Sequence, residues 1–121
     1  MTMPRTTTPA DLLPILTLLR QAERECTARG NRATHPVDDQ GMWHSEAMRA
    51  LLAIEQLSAA ADPPVPWTEV SVPHTDLEPF ELLEAAMDLV LALPDDIGNV
   101  DLFESRLVVG DALHALRMRR A

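Results

Sequence analysis

The sequence has no tyrosine and no lysine, a single cysteine and only four aromatic residues. One cysteine excludes an intrachain disulfide and any metal site built from several cysteines. Cys26 itself falls on the apolar side of the first predicted helix, where we expect an inert core thiol. With so few aromatic rings, the core has to be built from Leu, Ala, Val and Met. All ten basic residues are arginines, and this composition indicates a GC-rich bacterial genome.

Long apolar runs are also missing. The most apolar stretch, Leu12 to Leu19, spans eight residues, whereas a helix needs roughly 20 to cross a bilayer. No small-residue cleavage site follows this stretch, so it does not match a signal peptide. We therefore expect a soluble cytoplasmic protein. Its 121 residues suit a single domain, with residues 1–8 as an N-terminal tail.

The net charge of −9 is unevenly distributed along the chain. Residues 33–116 contain sixteen acidic residues against only Arg49 and Arg106, which gives this part a local charge of −14. Such a surface attracts cationic partners and repels the phosphate backbone of nucleic acids. The distribution therefore predicts a cationic protein partner and no direct binding to nucleic acid. No membrane partner is expected either, because no apolar stretch is long enough to span a bilayer.

Four segments combine apolar periodicity with the residues that start and end helices. The predicted helices run from about Pro9 to Arg29, from Gly41 to Ala61, from Leu77 to Leu93 and from Asp101 to Arg119. Their expected caps are Thr8, then Asp38 or Asp39, then Thr75 or Asp76, and finally Asp101 with Glu104; Gly30 is expected to end the first helix. The sequence therefore predicts an all-α four-helix bundle with antiparallel neighbours, formed by residues 1–121 as one domain.

A proline-rich stretch, residues 63–76, separates the second and third predicted helices. Its four prolines favour an extended backbone. The sequence TEVSV within it alternates like a short strand, but the chain offers no second strand to pair with it. We expect an ordered loop in which Trp67 and Val70 pack on the bundle. Trp67 is also a candidate contact for a partner, because exposed Trp side chains often anchor interfaces.

Three carboxylates lie together on the third predicted helix. At 100° per residue, Glu81, Glu84 and Asp88 fall within about 60° of one another, away from the apolar side. This acidic ridge (Glu81, Glu84 and Asp88) has three interpretations. It is a solvated surface, an ion-pair cluster with Arg106 or Arg117, or a divalent-metal site, which needs several converging oxygens.

The stretch ELLE, from Glu81 to Glu84, resembles the E-x-x-E motif with which the all-α nucleoside triphosphate pyrophosphohydrolases hold magnesium. The resemblance implies an all-α fold and Mg²⁺-dependent hydrolysis of nucleotides. The second motif of that family, a later E-x-x-D, has no counterpart in this chain. EAAMD, from Glu84 to Asp88, is one residue too long, and DLFE, from Asp101 to Glu104, is reversed. The resemblance is therefore confined to one helix.

Arg106 is the cation best placed to meet the acidic ridge. Its helical position is flanked by apolar residues, so its guanidinium should be partly desolvated and should need an acidic partner. Glu84 or Asp88 is the expected partner, because only a short connection separates the third and fourth helices. Glu55, which interrupts an apolar arc of the second helix, is the alternative partner for Arg106.

His44, near the start of the second predicted helix, is a further candidate binding residue. It could act as an acid–base group, or it could be a half-buried histidine near a helix end. His44 and Glu55 are three turns apart, about 16 Å along the helix axis, which is too far to share a metal ion.

The fourth predicted helix has two apolar stripes. One contains Leu102, Val109, Leu113 and Leu116, and the other contains Phe103, Leu107 and Met118 with His114 among them. A helix that is apolar over more than half of its circumference is usually covered on two sides. We therefore expect self-association, with a two-fold homodimer as the simplest form.

These features predict a non-enzymatic helical-bundle protein that binds another protein through its acidic surface, in an accessory, inhibitor or immunity-type role. No cofactor and no metal is expected for this function. The alternative is a small enzyme or ligand-binding bundle, with Mg²⁺-dependent nucleotide hydrolysis as one reaction. In that case a polar cavity between the helices would be lined by Glu81, Glu84, Asp88, Arg106, His44 and Glu55.

Overall fold

A computed structural model of the protein describes residues 7–32, 37–96 and 98–120, so residues 1–6 of the predicted tail lie outside the described residues. Its four α-helices are α1 (Pro9–Arg32), α2 (Val37–Ala60), α3 (Pro79–Ala92) and α4 (Val100–Arg120). A short 3₁₀ helix, Trp67–Glu69, lies between α2 and α3. The predicted all-α fold is confirmed, and the described ranges contain no β-strand. Within those ranges, no helix combines the length and apolar character that crossing a membrane requires.

α1 begins directly after Thr8, as predicted. The Asp11 carboxylate accepts hydrogen bonds from the backbone N–H and from the hydroxyl of Thr8, both at 3.0 Å, and so stabilises the first turn. The predicted end at Gly30 is wrong, because α1 continues beyond it. Gly30 is instead a packing position, since a Cβ there would collide with the imidazole ring of His44.

α2 begins at Val37, earlier than the predicted start at Gly41. The expected caps Asp38 and Asp39 therefore lie inside the helix, and their side chains are outside the described residues. Glycine is tolerated within a helix at a cost of about 1 kcal/mol relative to alanine. Gly41 consequently does not mark a boundary here.

α3 begins at Pro79, and its N-cap is Glu78 rather than the predicted Thr75 or Asp76. The backbone N–H of Glu78 donates to the Glu81 carboxylate at 3.3 Å, within a capping box. Pro79 suits the first helical position, because its missing N–H would have no partner within the helix there. The acidic residue three positions after the cap, and not the first polar residue of the loop, determines where α3 begins.

α4 begins at Val100, and Asn99 is its N-cap. The Asn99 side-chain oxygen accepts a hydrogen bond from the backbone N–H of Leu102 at 3.0 Å. The predicted capping box of Asp101 with Glu104 is therefore wrong, because Asp101 already belongs to the first turn. A carboxylate at that position still interacts favourably with the helix dipole.

The core consists almost entirely of aliphatic side chains, as the scarcity of aromatic residues predicts. Full burial of one such side chain contributes about 1.5–3 kcal/mol. Trp43, Trp67 and Phe80 pack at the edge of the core rather than at its centre. The largest fully buried aliphatic residues come from all four helices: Leu12, Ile15, Leu16, Leu19, Ile54, Leu57, Leu82, Leu83, Val90, Leu102 and Val109.

Contacts at one end of the bundle establish the direction of each helix. The start of α1 meets the end of α2, because the Asp62 N–H donates to the Thr7 carbonyl at 3.0 Å. The start of α4 also meets the end of α2, because Asn99 Nδ2 donates to the Ala60 carbonyl at 2.7 Å. The Thr7 hydroxyl donates to Asp96, just beyond α3, at 2.9 Å. In each packed pair (α1–α2, α1–α3, α2–α4 and α3–α4) the helices are antiparallel, as predicted.

α2 and α3 consequently run in the same direction, and the crossover segment (residues 61–78) between them follows the length of the bundle. This segment lies along α1. The Gln21 side chain donates to the Pro73 carbonyl at 2.9 Å, and the Arg20 guanidinium carbon lies 5.2 Å from the centre of the Trp67 ring. Trp67 and Val70 pack against the core, which confirms the predicted ordered loop.

Candidate functional site

The acidic ridge lies on the solvent side of α3. Its members Glu81, Glu84 and Asp88 are all exposed. The opposite side of the same helix is buried and consists of Leu82, Leu83, Ala86 and Val90. Charged side chains that remain in water carry no desolvation cost, so this position fits the solvated interpretation.

Arg106 binds the end of α3 rather than the acidic ridge. Its Nε donates to the Val90 carbonyl at 3.2 Å and its Nη2 donates to the Leu93 carbonyl at 2.9 Å. Its Nη1 lies 3.1 Å from Oδ1 of Asp95. The guanidinium therefore closes the last turn of α3, where the final backbone carbonyls lack the N–H donors of a following turn. The Val90 carbonyl also accepts from the Leu93 N–H at 3.4 Å.

The predicted partners of Arg106, namely Glu84 or Asp88 with Glu55 in reserve, are therefore wrong. The predicted partial desolvation of Arg106 is confirmed, because its side chain is only 19% exposed. Several acceptors on α3 could pair with a cation at this position. The turn of α3 that faces α4 determines which acceptor is nearest to the guanidinium. Sequence spacing does not contain that information.

Arg117, the other cation considered for the ridge, lies over an aromatic ring instead. Its guanidinium carbon is 5.9 Å from the centre of the Phe80 ring, which is within the range of a cation–π interaction. This contact joins the end of α4 to the start of α3. Neither predicted cation therefore forms the ion-pair cluster proposed for the ridge.

Glu55 lies on the solvent side of α2 and is exposed. Met48 and Leu52, which lie next to it in the helical projection, are exposed as well. Glu55 therefore interrupts an apolar arc, as predicted, but this part of the arc faces solvent. The arc exists in the sequence, but no other part of the described chain covers it.

His44 packs against the last turns of α1. Its Nε2 lies 3.2 Å from the Asn31 side-chain oxygen and donates to it in the tautomer that carries the proton on Nε2. The absence of a side chain at Gly30 lets the imidazole approach the α1 backbone closely. This contact between helices fits the half-buried histidine interpretation.

Trp67 is half-buried in the 3₁₀ turn of the crossover segment. One part of its ring packs against the core, and the Arg20 guanidinium covers another part. Trp67 therefore fixes the crossover segment to α1, and its remaining exposed edge is the part available to a partner.

The thiol of Cys26 is free and buried. Burial, and then the charge of Glu46, raise the pKa of Cys26 to about 12. The thiolate is the reactive form of cysteine, and at neutral pH this side chain remains a thiol. The predicted inert core thiol is confirmed.

Glu46 is a buried carboxylate that was not among the predicted candidates. Its side chain is 1% exposed, and its Oε1 lies 3.8 Å from Nε of Arg49. The signal for it was its spacing with Ala50, Ala53 and Leu57, which places Glu46 on the buried side of α2. An acidic residue that shares the helical periodicity of the core residues is predicted to be buried.

A second missed cluster surrounds Arg29 at the end of α1. Its Nε donates to Glu25 at 3.1 Å, its Nη2 pairs with Glu78, and its guanidinium carbon lies 5.0 Å from the centre of the Trp43 ring. Burial lowers the pKa of Arg29, but the hydrogen bonds with Glu78 and Glu25 outweigh burial and leave the pKa raised. The four-residue spacing of Glu25 and Arg29 predicts one of these contacts. The others depend on tertiary structure.

The candidate residues do not line a shared cavity. The acidic ridge and Glu55 lie on the solvent sides of different helices, His44 packs on α1, and Arg106 lies beside the α3–α4 connection. A depression of about 290 Å³ at that connection is lined by Arg106 with Asp95 and Phe103, but by none of the other predicted residues. In the part of the chain that the structure describes, no three His, Cys, Asp or Glu side chains are arranged to hold a metal ion.

The two apolar stripes predicted for α4 have opposite environments. The buried stripe consists of Leu102, Val109, Leu113 and Leu116. The exposed stripe consists of Phe103, Leu107 and Met118, together with Val100, and each of its members is more than half exposed. His114 is also exposed. α4 therefore presents to solvent an apolar surface that the bundle itself does not cover.

Comparisons with protein-family models, with curated proteins and with solved structures found no match to this chain. The function is therefore inferred from the charges and surfaces described above.

Proposed function

We propose that this is a non-enzymatic helical-bundle protein that binds a cationic protein through its acidic surface, in an accessory, inhibitor or immunity-type role. The observation that carries the proposal is the exposure of all three carboxylates of the acidic ridge on one side of α3. Exposed carboxylates remain accessible to a partner, and this includes Glu81, although its carboxylate also accepts a hydrogen bond from the Glu78 N–H.

The charge of the surrounding chain supports this function. Residues 33–116 carry a local charge of −14, and a potential of one sign accelerates encounter with oppositely charged proteins. The same potential disfavours nucleic acid, because phosphate groups are repelled. A cationic protein surface is therefore the partner that fits the ridge.

Apolar side chains beside the ridge supply the second component of a protein interface. Leu91 and Leu89 are exposed, and they flank the acidic ridge on its two sides at 100° per residue. Protein interfaces combine an apolar centre with polar residues at the rim. A partner that carries arginine or lysine next to apolar side chains would match this arrangement.

The proposal is tested with a fluorescently labelled amphipathic peptide that carries arginine on one face and leucine on the other. We expect micromolar binding that weakens as salt is added, because exposed charges are screened. The double variant Glu84→Lys/Asp88→Lys should weaken binding at least about tenfold. Glu69→Lys/Asp76→Lys, which changes the net charge equally on the crossover segment, should weaken it much less.

Two results would contradict the proposal. Equal weakening by the two double variants would show that only net charge matters and that the ridge is not the site. Micromolar, salt-dependent binding of duplex DNA by the unmodified protein would contradict the predicted preference for cationic partners. Melting with Mg²⁺, Mn²⁺ and nucleotides tests the enzyme alternative, because a ligand of the native state raises the melting temperature. We expect no shift.

We also propose that the protein forms a homodimer. The uncovered apolar surface of α4 supports this assembly, because such surfaces mark interaction sites.

A further inference from the structure

The exposed stripe of α4 has the spacing of a helix-pairing surface. Val100, Phe103 and Leu107 follow one another at intervals of three and four residues, and Gly110 and His114 continue the pattern. Alternating intervals of three and four place side chains along one line of a helix, where a second helix can pack against them. From Val100 to Met118 this line is about 27 Å long.

The stripe lies on the side of α4 that is farthest from the core. At 100° per residue its members are opposite the buried stripe, and neither α2 nor α3 covers them. Gly110 lies beside α3, where an added Cβ would make an ordinary 3.7 Å contact with Cε of Met87. No side chain of the stripe projects at Gly110, so the surface is lower at its middle, beside Met87 of α3.

The charge along α4 indicates which molecule that is. Acidic residues cluster at the start of the helix and in the connection before it: Asp95, Asp96, Asp101 and Glu104. Basic residues cluster at its end: Arg117, Arg119 and Arg120. A second α4 in antiparallel orientation places the acidic start of each helix beside the basic end of the other. A parallel orientation would instead place like charges together.

We propose that a second copy of this chain docks on the exposed stripe, with the two α4 helices antiparallel about a two-fold axis. Leu107 of each copy lies opposite Gly110 of the other, so that a large side chain meets a small one. Phe103 lies opposite His114, and Val100 reaches the level of Arg117 and Met118. This arrangement rests on the proposed homodimer and is independent of the proposed cationic partner.

The first experiment compares two exposed leucines. Sedimentation of the unmodified protein from about 1 to 100 µM should give a dimer. Leu107→Glu should give a monomer at the same concentrations, and Leu52→Glu, on the exposed side of α2, should remain dimeric. Circular dichroism should show native helix content for both variants, because both side chains are in solvent.

Either of two sedimentation results would overturn the arrangement. A mass of 13.4 kDa for the unmodified protein throughout the range would show that α4 does not pair with itself. Equal loss of the dimer in Leu52→Glu and Leu107→Glu would place the contact elsewhere.

The second experiment tests orientation by disulfide cross-linking. Val100→Cys and Met118→Cys variants, mixed and treated with a mild oxidant, should form a disulfide between the two variants. Each variant alone should remain uncross-linked, because in the antiparallel pair equivalent positions are far apart. Cys26 is buried and does not compete. Cross-linking of each variant with itself would overturn the antiparallel arrangement.

The third experiment tests the charge argument. Dissociation of the dimer should become easier as salt increases, and Arg117→Glu should weaken the dimer at least about tenfold at low salt. Arg24→Glu, an equal charge change at an exposed position of α1, should have much less effect. Equal weakening by the two variants would contradict the proposed pairing of charged ends. If the unmodified protein were a monomer that still bound the cationic peptide, only the pairing of α4 would be refuted. If it were a dimer that failed to bind the peptide, only the ridge would be refuted.

Discussion

The two faces of α4 resemble each other in composition, but one is buried in the core and the other is exposed to solvent. The buried stripe consists of three leucines and a valine, and the exposed stripe of Val, Phe, Leu and Met. Helical periodicity identifies both stripes equally well. The bundle covers only the first, so an apolar stripe in a sequence predicts that something packs there, but not whether it belongs to the same chain.

The rotation of α4 about its own axis decides which stripe is buried. Arg106 lies in the strip between the stripes and holds one side of the helix to the last turn of α3. Asn99 holds the start of the helix to the end of α2. These polar contacts are therefore part of the reason why one apolar face is core and the other is surface.

The largest expected effect comes from equivalent truncations on the two stripes. Leu102→Ala removes a side chain that is 2% exposed and should lower the free energy of unfolding by about 2–5 kcal/mol. Leu107→Ala removes one that is 56% exposed and should change it by less than about 0.5 kcal/mol. Urea denaturation at a concentration where the protein is monomeric gives both values. Similar losses would contradict the assignment of the two faces.

Arg106→Ala tests the boundary between the faces. We expect it to lower the free energy of unfolding by more than about 2 kcal/mol, because hydrogen bonds from charged groups contribute about 1.5–3 kcal/mol each. The Asp95 side chain is 89% exposed, and Asp95→Ala should cost less than about 1 kcal/mol. If urea denaturation gave equal losses, the ion pair and not the carbonyl contacts would hold α4 to α3.

Asn99→Ala tests how the start of α4 fixes its rotation. Loss of the N-cap should cost about 1–2 kcal/mol, since the side chain also donates to the Ala60 carbonyl. Asp101→Ala, at the position expected from sequence to cap the helix, should cost only about 0.3–1 kcal/mol through the helix dipole. Thermal denaturation compares the stability lost in the two variants. A larger loss in Asp101→Ala than in Asn99→Ala would show that Asp101 is the N-cap.

The smallest effect is a dependence on pH. Hydrogen bonds from the Asn99 side chain, and from the N–H and hydroxyl of Thr7, lower the pKa of Asp96. The stabilisation by ionised Asp96 is present above the pKa of the unfolded chain and is lost as the pH falls through the lower pKa of the folded protein. Asp96→Asn should therefore reduce the melting temperature at neutral pH, with a difference that shrinks in acid. Asp76→Asn is the control for net charge, and a difference that persisted unchanged in acid would contradict this account.

Local features of the fold could be predicted from sequence because they depend on neighbours in the chain. The four helices, the ordered loop carrying Trp67 and the two stripes of α4 all follow from periodicity and proline positions. The burial of Cys26 could also be predicted, because its position on the apolar side of the first helix indicates it.

Contacts between distant residues could not be predicted in the same way. Glu78, not Asp76, caps α3, because Glu81 is available three positions later. Arg106 contacts Asp95 and two carbonyls, because the last turn of α3 is the part of the bundle that faces it. Several acceptors were compatible with each donor by spacing, and only the packing of the helices selects among them.

The crossover segment divides the molecule into two helical hairpins, α1–α2 and α3–α4. Contacts within each hairpin close shorter stretches of chain than those between the hairpins, such as Thr7 with Asp96, which join residues 89 positions apart. Closing a longer loop costs more conformational entropy, and contacts of high sequence separation slow folding. We therefore expect the contacts between the two hairpins to form more slowly than those within each hairpin, and a change in the length of the crossover segment to alter the folding rate more than the stability.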